Sequence, residues 1–142
     1  MSLVDSLLKA DIAKVTELPA DEVEIKRLSK IIGSRFAVKV RAINGNRYTE
    51  IQKSVLNIGS KGKSDFDIAK AKTLTVLEGL VEPDMRDKEL LKQFKAVTPK
   101  EAINKIFLPG EIDRIYKKIT ELCGYDDEDG NKSEEDVEEI KN

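Results

Sequence analysis

The chain has 142 residues, 39% hydrophobic and 37% charged, with a net charge of −2. That length holds one domain, and so charged a composition leaves its core thin. With no His, no Trp and one Cys, it excludes a disulfide framework within one chain and nearly excludes zinc and iron sites.

Residues 2–10, SLVDSLLKA, pair Leu3 with Leu7 and Val4 with Leu8. That spacing predicts a short amphipathic helix, marginal alone and in need of something to pack on. Residues 11–21, polar and mixed up to Pro19, read as a linker, so 1–21 forms an N-terminal helical arm. The N-terminus has neither a basic leader nor a long apolar run. This predicts a cytoplasmic chain without a signal peptide or a membrane span.

Residues 22–28 alternate, with Val23 and Ile25 against Glu22, Glu24 and Lys26. Residues 35–43 alternate too, with Phe36, Val38, Val40 and Ala42 against Ala37, Lys39 and Arg41. Both read as half-buried strands, joined as an antiparallel hairpin through a connector that holds Gly33. Ile31 and Ile32 in that connector are expected to extend a strand or touch the core. Lys26, Arg27, Lys30, Arg35, Lys39 and Arg41 would make the outer face of the hairpin basic. Charges that block edge pairing explain such a face more simply than phosphate binding does.

Asn44 is the expected N-cap of a helix reaching Gly59, with Tyr48, Ile51, Val55 and Ile58 inward and Ile43 stapled to Tyr48. Residues 59–64, GSKGKS, miss the G-x-x-x-x-G-K-S/T frame of a phosphate loop. Ser64 or Asp65 is expected to cap a helix over about 66–81. Its stripe is Phe66, Ala69, Thr73, Val76, Leu77 and Leu80, and Pro83 ends it. Asp87 caps a shorter helix with Leu90, Leu91 and Phe94 inward.

Thr98 to Asp127 carries the clearest structural signals. Thr98, Pro99 and Glu101 form a helix start with a T-x-x-E capping box. Leu108-Pro109-Gly110 is a corner. Leu108, Ile112, Ile115, Tyr116, Ile119 and Leu122 then form one apolar stripe of helical period. Gly124 suits a left-handed stop. Cys123 beside the stripe reads as an inert buried thiol, since no His exists to activate it.

From Tyr125 to Asn142 there are nine acidic residues and two lysines, so a body of net charge +5 carries a tail of −7. The tail reads as disordered, with only a short helical turn after Ser133. Its acids miss the EF-hand frame, because Gly130 and Asn131 fall where a ligand and a glycine are required. Glu111 and Asp113 open a helix, where the macrodipole favours anions without any catalytic role.

The expected fold is α+β and mostly α: a small antiparallel hairpin packed on a bundle of about five helices. Residues 1–124 form one domain, and 125–142 a disordered acidic tail. More amphipathic helices are present than a small hairpin covers, which leaves room for a groove that accepts a partner helix.

An ordered set of short motifs runs from Val81 to Asp127. It comprises Val81-Glu82-Pro83, the helix Asp87 to Phe94, Thr98 to Lys105, Leu108 to Glu111, and Gly124 to Asp127 before the acidic tail. This set, with the upstream short helix and the strand ending KVRAI, resembles the XkdN-like phage tail assembly chaperones of Gram-positive phages and prophages. The resemblance implies a non-enzymatic chaperone without cofactors. It would coat the tape measure protein, keep it soluble in the host cytoplasm until tail tube subunits polymerise, and be absent from the finished virion. A frameshifted longer form of the chain and the tail tube protein are further partners it implies, and self-association stays open. On this reading Phe94, Phe107, Leu108, Ile112 and Tyr116 border the client surface. The alternatives are a generic protein-binding adaptor, or a nucleic-acid module that uses the basic hairpin.

Overall fold

The computed structural model describes residues 2–58, 64–66 and 68–125. Two short helices come first, α1 (Leu3–Lys9) and α2 (Ile12–Thr16), followed by β1 (Ala20–Glu24), α3 (Lys26–Ile32) and β2 (Ala37–Arg41). Then come α4 (Gly45–Ser54), the small strands β3 (Leu56–Ile58) and β4 (Ser64–Phe66), α5 (Ile68–Gly79) and β5 (Leu80–Glu82). The described residues close with α6 (Lys88–Gln93), α7 (Pro99–Ile106), α8 (Pro109–Thr120) and a turn over Glu121–Tyr125 in which Gly124 is left-handed, at φ 94°. The helix-rich α+β architecture is the expected one. The loop expected over 59–63 and the acidic tail expected beyond Tyr125, with the helical turn expected after Ser133, lie outside the described residues.

The sheet has the order β1-β2-β5, antiparallel throughout, with Val23 opposite Val38 and Val40 opposite Leu80. The hairpin is therefore the edge of a three-stranded sheet, with β2 at its centre. The inner face of β2 presents Val38 and Val40, both fully buried. α8 supplies Ile112, Ile115 and Ile119 to the same core, α7 supplies Ala102 and Ile103, and α5 supplies Val76. Each such valine or isoleucine side chain stabilises by about 1.5–3 kcal/mol relative to exposure.

Several boundaries differ from the expectation. Strand β1 stops at Glu24, and Lys26–Ile32 is a helix instead of a strand end and connector. Gly33, at φ 89°, terminates that helix, its N–H donating to the Ser29 carbonyl. Ser29 Oγ then accepts from the Phe36 N–H at 2.8 Å, which turns the chain back into β2. Ile31 and Ile32 neither extend a strand nor enter the core: they are 69% and 56% exposed. The expected linker holds α2, capped by the Asp11 side chain, and the start of β1.

Helix α4 ends at Ser54, short of Gly59, because Leu56–Ile58 pairs antiparallel with Ser64–Phe66. Ser64 and Asp65 thus lie in a strand and do not cap α5. Helix α5 stops at Gly79, where Leu80–Glu82 leaves to pair with β2, so Leu80 is a strand residue. Ala69, expected inward, is exposed. The caps at Asn44, Asp87 and Thr98 form as expected, each side chain accepting a backbone N–H three residues on. Glu101 reaches back to the N–H of Val97, one residue before the cap.

Candidate functional site

The α7–α8 corner is pinned by one carboxylate. Pro109 opens α8 with no N–H to satisfy, and the Leu108 N–H donates to Glu111 Oε1 at 2.8 Å. Arg27 on α3 donates from Nε to Glu111 Oε2 and from Nη2 to Oε1, both at 2.9 Å, and from Nη2 to the Ile106 carbonyl at 2.7 Å. Glu111 is buried. It does more than complement the helix dipole: it ties α3 to the corner. The Arg27 guanidinium holds its carboxyl below the ordinary range against the opposing push of burial, and the Leu108 N–H adds to the lowering.

A groove of about 410 Å³ opens beside this corner, between α5 and the N-terminus of α8. Its apolar lining is Ile68 and Ala69 from α5 with Pro109 and Ile112 from α8. Ile68 is 61% exposed. Lys72 and Asp113 also line the groove and pair at 2.9 Å, while the Lys72 ammonium lies 5.9 Å from the centroid of the Tyr116 ring. Apolar walls joined to a charged pair suit the two faces of an amphipathic segment.

The five residues expected at a client surface fall in different places. Ile112 lines the groove, with only its edge exposed. Leu108 is half exposed just before Pro109, and Tyr116, half-buried, follows one turn after Ile112. Phe107 is a core residue beneath the corner. Phe94 is 41% exposed at the end of α6 and does not line the groove. Ile68 is the wall residue that periodicity missed. The only signal for it was that α5 carries apolar residues on more than one face.

The basic residues do not form one ribbon. Lys26, Arg27 and Lys30 sit on α3, Arg27 is committed to Glu111, Arg35 pairs with Glu22, and Lys39 pairs with Glu82. Cys123 is half-buried and accepts the Ile43 N–H at 3.3 Å. Among the described residues no cluster of His, Cys, Asp or Glu could hold a metal ion, and no helix is long and apolar enough to cross a membrane.

Curated protein sequences give no significant match to the chain. The crystal structure of the protein YqbN is similar in fold, at 23% identity and a TM-score of 0.59, covering 82% of this chain and 98% of that one. The sequence pattern of the family described as phage XkdN-like tail assembly chaperone protein matches residues 4–141. That match spans the sheet, the corner and the groove, and the chain belongs to the XkdN-like phage tail assembly chaperone family.

Proposed function

We propose that the chain binds the tape measure protein and keeps it soluble while a long tail assembles, without catalysis. The observation that carries this reading is the open groove between α5 and the corner, walled by Ile68 and Ile112. A tape measure protein is long and helical, so an amphipathic turn of it suits such a groove. Weak contacts repeated along the client add by avidity. The high surface charge keeps the loaded complex in solution. Leu108, Ile112 and Tyr116 border the client, with Phe94 as a separate exposed contact and Phe107 as the core residue beneath. The complex forms in the host cytoplasm, and the chaperone leaves as tail tube subunits replace it. A frameshifted longer form of the chain shares the task.

The test is Ile68→Glu combined with Leu108→Glu, two changes at exposed side chains. The full chain is co-expressed with the tape measure protein of the same phage. The expected result is a variant with wild-type circular dichroism and melting that leaves the tape measure protein in the pellet. A folded variant that still holds its client in the supernatant overturns the reading.

A further inference from the structure

We propose that α1 and α2 form a self-association arm, pairing antiparallel with the same arm of a second copy of this chain. Both helices have their own caps. Ser2 Oγ accepts from the Asp5 N–H while Asp5 Oδ2 accepts from the Ser2 N–H, and Asp11 Oδ1 accepts from the Ala13 N–H. Yet neither helix has a buried residue. Leu3, Val4, Leu7, Leu8, Ile12 and Val15 are all more than half exposed, Leu3 at 84%. Helices of seven and five residues do not persist alone in water, so this apolar face calls for a cover.

The arm's own pattern names the cover. Read forward, Val4-Asp5-Ser6-Leu7 places an acid between two apolar residues. Read backward from the far end, Val15-Lys14-Ala13-Ile12 repeats that order with a base in place of the acid. Laid antiparallel, Val4 faces Val15 of the second copy, Leu7 faces Ile12, and Asp5 faces Lys14. A two-fold axis makes each of these contacts twice, which is the form of an isologous interface. The inverted charge matters only if the arm meets itself, because an unrelated occupant gives no reason for the mirror.

The test is sedimentation equilibrium on the full chain at concentrations up to about 100 µM, where even micromolar pairing is populated. The expected mass is twice the 15.9 kDa of one chain, or an even multiple of it. Leu7→Glu should halve that mass, and so should Asp5→Lys or Lys14→Asp alone. Mixing the last two variants should restore it. The lysine introduced in one then faces the aspartate introduced in the other, and the native Lys14 of the first faces the native Asp5 of the second. Asp5 also caps α1, but a lost cap is not repaired by a second copy, so recovery in the mixture reports pairing alone. A wild-type chain at single-chain mass, a Leu7→Glu variant of unchanged mass, or a mixture that fails to recover overturns the proposal. Arm variants that release the tape measure protein at unchanged mass would assign the arm to the client, and overturn it as well.

Discussion

Gly79, the last residue of α5, and Ile119 on α8 are packed so closely that a methyl group on Gly79 would lie 2.7 Å from Ile119 Cδ1 and 2.9 Å from its Cγ1 and Cγ2. Both residues are buried. The backbone of Gly79 is not left-handed, so space, not conformation, demands glycine there. Close approach at this point lets α5 pack along α8 while β5 leaves for the sheet. Gly79→Ala is expected to cost about 1–3 kcal/mol by overpacking, despite the better helix propensity of alanine. Ile119→Ala alone should cost about 2–5 kcal/mol. In the double variant the clash is gone, so the total should fall short of the sum by about 0.5–3 kcal/mol. Urea midpoints at unchanged m-value measure all three. Simple additivity would show that the two side chains do not meet.

The Glu111–Arg27 pair predicts a pH-dependent stability. The Glu111 carboxyl is lowered chiefly by its hydrogen bonds from Arg27. A group lowered in the folded state contributes fully above its unfolded value and loses that contribution as pH falls through the folded one. Glu111→Ala is expected to cost about 1–3 kcal/mol at neutral pH, the range for losing hydrogen bonds to a charged buried group. The gap between wild type and variant should close as pH falls below about 4. Asp21 and Glu101 are lowered too, by the backbone N–H groups of Glu22 and Val97 first, so the comparison between variants isolates Glu111. A gap that is constant from pH 7 to 3 would remove the ion pair from the account. Arg27→Ala should destabilise more than Arg35→Ala, since Arg35 and Glu22 are both well exposed.

How far each feature was legible depends on how far along the chain its cause lies. The caps at Asn44, Asp87 and Thr98 each involve a donor three residues on, and a short window contains them whole. The stripe Ile112, Ile115 and Ile119 is legible for the same reason, since one helix face carries it. The salt bridge that pins the corner joins residues 84 apart, and Arg27 in isolation reads as surface charge. Strand β5 follows α5 without a break, and only its pairing with β2 makes it a strand. Helix α3 is hidden by the alternation of Val23 and Ile25 with Glu22, Glu24 and Lys26, which runs on into its first residue. Gly33 reads as a hairpin turn in the sequence, but a left-handed glycine ends a helix as readily, and here it ends α3. The groove belongs to three elements at once, α5, α7 through Asn104, and α8, so no single stripe announces Ile68.

The last of the described residues is held by an aromatic contact. Tyr125 stacks on Tyr48 of α4, with ring centroids 5.4 Å apart and planes 25° apart. Tyr125 itself is 64% exposed, so the stack, not burial, holds it. Tyr125→Ala is expected to cost about 0.5–1.5 kcal/mol. Tyr125→Phe should be nearly neutral, because stacking needs the ring and not the hydroxyl. Thermal melts of the two variants decide it, and equal losses would show that the phenol oxygen matters.

Thr75 on α5 is fully buried, and its hydroxyl has no hydrogen-bond partner among the described residues. A buried hydroxyl without a partner costs about 1–3 kcal/mol relative to one that is satisfied. Its neighbour Thr73 avoids the cost by donating to the Ala69 carbonyl one turn back, at 3.0 Å. Valine has the shape of threonine with a methyl group in place of the hydroxyl, so Thr75→Val keeps the packing and removes the orphan. The expected outcome is a gain of about 1 kcal/mol, or no loss, against a clear loss for Thr75→Ala, which opens a void at the same place. Thr73→Val is the control and should not gain, since a hydrogen bond goes with its hydroxyl. Urea midpoints for the three variants rank them, and a loss for Thr75→Val comparable to that of Thr75→Ala would mean that the hydroxyl is satisfied in solution.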